Sequence, residues 1–132
     1  MDDFDNSPLV RTAFGDAATW ASVLEAATRV SPDGFEALLR VVDDKENDAA
    51  TIEQLVSRDW HDAAVLFVAD GHAQDDREQA ILCVDLSDGG ARRFRCIPSE
   101  LWGVENNLRL ANMDFLDFSE ACDADGVFRG FR

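Results

Sequence analysis

The chain has 132 residues, 46% of them hydrophobic, and its 27 acidic side chains outnumber 12 basic ones to give a formal charge of −15. That length suits one domain that buries about two thirds of the unfolded chain's surface around a single core. The excess negative charge disfavours direct binding to nucleic acid or to anionic membranes, because phosphate groups carry the same sign.

The sequence also predicts the compartment. No apolar run approaches the roughly 20 residues that a membrane span needs. The first residues, MDDFDNSP, are acidic where a signal peptide would be basic and then apolar. Three Cys without a CxxC pair do not make a disulfide framework. We therefore expect a cytoplasmic protein without a cofactor, as a monomer or homodimer.

The front half of the chain alternates strand and helix patterns. Residues 1–7 are predicted to be a flexible acidic leader, Leu9 to Phe14 a strand, and Asp16 the cap of a helix that runs to about Arg29. A strand at 35–42, a helix at 51–58 and a buried central strand at 63–69 follow. Because helices separate these strands, we expect parallel pairing with right-handed crossovers.

The back half has a different pattern. After a predicted loop at 71–79, strands at 80–86 and 92–97 flank the turn sequence SDGGA, which is typical of an antiparallel hairpin. Ser99 is predicted to cap a helix that stops at Asn112, and Asp114 to cap a second helix. The prediction is a single α/β domain at 8–132, with a mixed five-stranded sheet (β-α-β-α-β-β-β-α-α) and two short C-terminal helices.

The C-terminal third carries three recognisable pieces, VENNL at 104–108, ANMDF at 111–115 and DGVFRGF at 125–131. With LVRTAF at 9–14 as a weaker match, the chain resembles the domain-of-unknown-function family numbered 6924, found in bacteria and some fungi. The resemblance would cover nearly the whole chain. It implies no activity, so it assigns no role to any residue.

Several carboxylates follow predicted strands. If the first three strands are parallel and the fifth runs with the third, the carboxyl ends of four strands share one edge, where ligands bind in open α/β sheets. We call this edge the acidic rim; its predicted members are Asp16, Asp43, Asp44, Asp70 and Glu100.

Clustered carboxylates raise one another's pKa values unless a positive group neutralises them. A divalent metal such as Mg²⁺ would make Asp43, Asp44 and Asp70 the ligands of a phosphoryl-transfer or hydrolytic enzyme. A basic protein could bind the same edge with fast, salt-sensitive kinetics. Arginines from the near-neutral C-terminal part of the chain, Arg109, Arg129 or Arg132, could also dock on the acidic part.

The first C-terminal helix offers a second candidate surface, made of Trp102, Asn106, Asn107 and Arg109. Asn is a poor helix former, so two amides in mid-helix indicate that they bond to something. They either tie down a neighbouring loop or contact a partner.

No common catalytic or nucleotide-binding signature is present, and His61 and His72 have no partners at zinc spacing. The leading hypothesis is a small acidic binding protein, such as an immunity-type or inhibitor partner of a basic protein. The alternative is the metal-dependent enzyme at the acidic rim. The candidate binding residues are Asp43, Asp44, Asp70, Glu100, Trp102, Asn106, Asn107 and Arg109.

Overall fold

One mixed sheet organises the computed structural model, which describes residues 5–131. Within that range the sheet has six strands, in the spatial order β2-β1-β3-β4-β5-β6. Their bounds are β1 Ser7–Arg11, β2 Leu39–Val42, β3 Val65–Ala69, β4 Ile81–Asp85, β5 Arg93–Cys96 and β6 Val127–Phe128.

Strand directions agree with the prediction. β1 pairs in parallel with β2 and β3, whereas β4 is antiparallel to both β3 and β5. The parallel pairs have long connections that contain helices, and the antiparallel pairs have shorter connections. The predicted α/β class and mixed sheet are confirmed.

Five helices cover this sheet in the described part of the chain: α1 Ala17–Thr28, α2 Ile52–Val56, α3 Gly71–Asp75, α4 Leu101–Arg109 and α5 Phe115–Ser119. Local chemistry sets two of the starts. The carboxylate of Asp16 accepts the backbone N–H groups of Ala18 and Thr19, and Thr51 and Gln54 form a reciprocal capping box at α2.

The predicted number of strands is wrong by one, because the sheet has six strands within residues 5–131 and five were predicted. The sixth, β6, has only two residues and pairs in parallel with β5. A two-residue strand has no periodicity to read, so only its long-range pairing defines it.

Two helix predictions also need correction. The predicted loop at 71–79 contains α3, which begins because the Asp70 carboxylate accepts the N–H of Ala73. Ser99 does not cap α4, since it lies inside a 3₁₀ turn, Pro98–Glu100, and no side chain caps the start of that helix. The helix ends at Arg109, before the predicted stop at Asn112.

The first strand begins at Ser7, two residues earlier than predicted, and Ser7 is buried. Residues 1–4, most of the predicted leader, lie outside the described residues. The second strand is shorter than predicted, because only Leu39–Val42 pair with β1.

Side chains of β3 alternate between two cores, one on each face of the sheet. Phe67 belongs to the larger core with residues of α1, α4 and α5, whereas Leu66 and Val68 belong to the smaller one with Leu55 of α2. The central strand is thus covered on both faces, as its continuous apolar run predicted.

Candidate functional site

The acidic rim exists as a topological edge. β1, β2 and β3 are mutually parallel, and β5 runs in the same direction because two antiparallel steps separate it from β3. Asp43, Asp70 and Glu100 therefore follow the carboxyl ends of strands on the same side of the sheet.

Asp70 is neutralised inside the protein. Arg95 of β5 forms a bidentate ion pair with Asp70, in which Nη2 lies 2.7 Å from Oδ2 and Nη1 lies 3.1 Å from Oδ1. Burial alone would raise the pKa of Asp70, but the hydrogen bonds from Arg95 and from the Ala73 N–H outweigh it and hold the pKa below its ordinary value. This carboxylate is fixed and charged.

Asp43 and Asp44 of the rim have structural partners as well. Arg11 Nη1 lies 3.2 Å from Asp43 Oδ1, and the same guanidinium packs over the ring of Phe14, 4.1 Å from its centroid. Asp44 accepts the N–H of Glu46 at the start of a 3₁₀ turn, Lys45–Asn47. Each of these carboxylates has an internal role that the strand pattern did not reveal.

Cation chemistry at the rim is limited by those pairings. Across residues 5–131, no group of three or more His, Cys, Asp or Glu side chains is placed to hold a metal ion. A divalent ion would also have to displace Arg11 from Asp43 or Arg95 from Asp70. The rim does supply docking sites for the chain's own arginines, and Arg11 and Arg95 occupy them. Of the predicted arginines, Arg109 pairs with Glu105 and Arg129 pairs with Glu78 of the acidic part, while Arg132 lies outside the described residues.

The helix α4 is tied down through a residue that the sequence analysis missed. Glu105 is completely buried, and its two carboxylate oxygens accept four hydrogen bonds. The donors and distances are Ser7 Oγ 2.7 Å, Leu38 N–H 2.8 Å, Asn106 Nδ2 2.9 Å and Arg109 Nε 2.8 Å. This carboxylate joins α4 to the start of β1 and to the segment before β2.

Two of the predicted contact residues on α4 serve that junction. Asn106 Nδ2 also donates to the carbonyl of Glu36 at 3.1 Å, and Arg109 binds Glu105. Asn107 Nδ2 donates to the Gly103 carbonyl one turn earlier in the same helix, at 2.8 Å. The amides therefore have internal partners, and one ties down a neighbouring segment.

Trp102 differs from these residues because its contact is at the surface. Its ring stacks on Phe35 with centroids 4.9 Å apart and planes 13° apart, and Phe35 is 49% exposed. Phe35 and Glu36 lie in the segment that Asn106 holds against α4. We call Phe35 and Trp102 the aromatic pair.

A cavity of about 150 Å³ adjoins the aromatic pair, since Trp102 forms one of its walls. We call it the aromatic cavity. Its lining residues are Glu100, Trp102, Gly103, Asn107, Phe118, Phe128 and Phe131. It was not foreseen, because its walls come from α4, α5 and the C-terminal segment, which only the fold brings together.

A larger cavity of about 580 Å³ lies at the opposite edge of the sheet, beside the starts of β1 and β3. Two consecutive residues on its border, His61 and Asp62, have left-handed backbone with φ of 55° and 64°. Its border mixes both signs of charge, including Asp5 and Arg109.

The C-terminal arginine cluster is a further internal pairing. Arg129 reaches Glu78 and Asp123 at 2.7 Å, and Asp125 at the same distance. Its hydrogen bonds hold the pKa values of Glu78 and Asp125 below their ordinary values, and the three carboxylates raise that of Arg129. This pins the segment around β6 to the loop before β4.

Two of the three cysteines are buried. Cys83 and Cys96 are buried on the neighbouring strands β4 and β5, and burial raises the pKa of each thiol well above its ordinary value. Cys122 is partly buried, which raises its pKa to a lesser degree.

No helix in the described part of the chain has the length and apolarity needed to cross a membrane. Comparison with curated proteins gives no sequence match. A family model, by contrast, matches residues 6–131, which include all the elements of the fold from β1 to β6. The predicted resemblance is confirmed, and the chain belongs to the family described as domain of unknown function DUF6924.

Proposed function

We propose that this protein is a small cytoplasmic binding protein whose partner is a basic protein, in the manner of an inhibitor or immunity protein. The observation that carries the proposal is how the charges are distributed. In the ion pairs formed among residues 5–131, eight arginines lie within 4.0 Å of a carboxylate, and together they pair with eleven acidic residues.

Fourteen other Asp and Glu between residues 5 and 131 have no such ion pair. The protein therefore uses most of its cations internally and presents an excess of negative charge outside. A field of one sign speeds association with a partner of the opposite sign and repels nucleic acid.

The aromatic pair supplies the proposed centre of contact. Large aromatic side chains, Trp above all, contribute most of the binding energy at protein interfaces, where surrounding polar groups form the rim. Three exposed or partly exposed carboxylates near the pair in sequence, Asp33, Glu36 and Glu100, have no ion pair among residues 5–131. Of the predicted binding residues, Trp102 and Glu100 therefore remain the strongest candidates.

The proposed compartment fits the thiols. All three cysteines are free, although Cys83 and Cys96 lie on paired strands, and free thiols are the rule where glutathione keeps proteins reduced.

The test is to capture partners on the immobilised protein from an extract of its own cells, and then to titrate each purified partner by calorimetry. We expect a basic protein whose affinity falls as the salt concentration rises from about 50 mM to about 300 mM, because added salt screens exposed charges. Phe35→Ala should weaken binding by about tenfold or more, as expected at the centre of an interface. Leu110→Ala removes another exposed apolar side chain from the far end of α4 and should leave the affinity unchanged.

The proposal is contradicted if the partner is not basic or if the affinity does not change with salt concentration. It is also contradicted if Phe35→Ala and Leu110→Ala weaken binding equally. If the partner is a nuclease or another enzyme, the same titration should also abolish its activity at one equivalent, which identifies the inhibitor role.

A further inference from the structure

The walls of the aromatic cavity combine buried and accessible rings. Phe118 and Phe128 are almost completely buried, whereas Phe131 is 57% exposed, and its ring centroid lies 5.4 Å from that of Phe118 and 5.0 Å from that of Phe128. Trp102, partly exposed, closes another side. A group that enters the cavity therefore meets aromatic surface on several sides.

Two of the lining residues, Glu100 and Asn107, carry side-chain oxygens that act as acceptors. The Glu100 carboxylate makes no ion pair and no side-chain hydrogen bond with residues 5–131. Asn107 uses its Nδ2 to donate to the Gly103 carbonyl, and its own side-chain oxygen receives no donor from the same residues. The cavity thus offers a carboxylate and an amide oxygen that accept no side-chain hydrogen bond from residues 5–131.

The backbone at Gly130 makes room for this carboxylate. Gly130 has a φ of 102°, and a Cβ atom there would lie 2.7 Å from Glu100 Oε1. A Cβ at this position would make the carboxylate shift, so glycine leaves room for Glu100 beside the C-terminal segment. The Glu100 carboxylate therefore lies next to Gly130 at the cavity wall.

We propose that the aromatic cavity binds the guanidinium group of an arginine side chain of the basic partner. The inference rests on the proposed function and deepens it, because it names the group that this surface receives. A guanidinium is planar and weakly hydrated, stacks on aromatic faces and carries five N–H donors, which suits both the rings and the two acceptors. An ammonium group is more strongly hydrated and presents no flat face, so lysine fits less well.

The experiment titrates the protein with N-acetyl-arginine methylamide and follows the indole N–H signal of Trp102 by two-dimensional NMR. We expect a saturable shift below about 50 mM, because a single small side chain binds with a Kd in the millimolar range. The citrulline analogue has nearly the same shape without the charge and should bind about tenfold more weakly or not at all. The lysine analogue should fall between the two.

Variants then locate the site. Glu100→Gln should weaken arginine binding by about tenfold, since it removes the charge at the cavity. Glu53→Gln removes one charge from α2 on the other face of the sheet and should have no effect. Phe131→Ala removes a partly exposed ring from the cavity wall and should also weaken binding. Amide signal dispersion checks that each variant is folded.

Arg132 follows Phe131 in the sequence and carries the same group as the probe, so a variant that lacks it is titrated alongside. If the full chain or the variant without Arg132 binds the arginine analogue more tightly than the citrulline analogue, the result supports the site. No saturable shift of Trp102 in both forms, equal affinity for citrulline, or equal losses from Glu100→Gln and Glu53→Gln would overturn it.

This result is separable from that of the proposed function. If calorimetry shows a salt-sensitive basic partner but the arginine probe does not bind, the partner proposal stands and the cavity is wrong. If the probe binds but no basic partner exists, the cavity stands as an arginine site and the partner proposal is wrong.

Discussion

Arg109 Nε lies 2.8 Å from Oε2 of Glu105, one turn earlier in α4, and Glu105 is fully buried while Arg109 is partly exposed. The pair places a charge where only apolar side chains are expected and offsets its desolvation with an arginine and three further donors. The result is a polar junction between α4, β1 and the segment before β2.

Replacing Glu105 with Gln should lower the free energy of unfolding by about 3 kcal/mol. Both oxygens of Glu105 face two donors each, so the amide nitrogen of Gln would oppose donors in either orientation. Urea unfolding followed by fluorescence measures the change. The matched control, Glu53→Gln, breaks an exposed ion pair with Arg93 and should cost less than about 1 kcal/mol. Similar losses in the two variants would contradict the role of Glu105.

Acid should expose the role of Asp70. Its pKa is below the ordinary 3.8 in the folded protein, so its ionised form stabilises the fold above that pH, and the contribution is lost as the pH falls through the lower folded value. Wild type should therefore exceed Asp70→Asn in stability at neutral pH, and the difference should shrink as the pH drops below 3.8. Thermal unfolding across this pH range tests it. A difference that is independent of pH would show that the ion pair with Arg95 does not stabilise the fold.

The hairpin between β4 and β5 should tolerate substitution at Gly89 better than at Gly90. Both have positive φ, 74° and 87°, but a Cβ at Gly89 meets open space, whereas one at Gly90 would lie 2.8 Å from Val56 Cγ1 and 3.3 Å from Val84 Cγ1. Gly89→Ala should cost about 1 kcal/mol for the backbone alone, and Gly90→Ala about 1–3 kcal/mol more because of overpacking. Chemical unfolding of both variants gives the comparison. Equal costs would mean that the core beneath the hairpin is not closely packed.

Thiol reactivity should separate the cysteines. Cys83 and Cys96 are buried with raised pKa values, so a disulfide reagent at pH 8 should label them only when the protein unfolds. Cys122 is partly exposed but also has a raised pKa, and it should react slowly in the folded protein. A Cys122→Ser variant that shows no reaction without denaturant confirms the assignment. Rapid labelling of that variant would contradict the burial of the other two thiols.

The sequence by itself determined most of the local elements and their order, with α3 and β6 as the exceptions. Asp16 predicted the start of α1, and the continuous apolar run around Phe67 predicted a central strand buried on both faces. These two predictions succeed because helix caps and hydrophobic periodicity are properties of a few neighbouring residues. Connection lengths also sufficed to predict which strands run parallel, because a parallel pair needs a crossover.

Only the tertiary structure decided how the charges are used. The rim was located correctly as an edge of the sheet, but nothing near Asp70 in the sequence shows that Arg95, 25 residues later, neutralises it. Glu105 is buried, although glutamate is normally exposed. The sequence did not predict this burial, because its partner Ser7 comes from the opposite end of the chain. β6 and the aromatic cavity likewise depend on contacts between distant segments. Such pairings depend on the relative positions of strands and helices, which are fixed only when the core packs. A local pattern of residue types therefore cannot predict them.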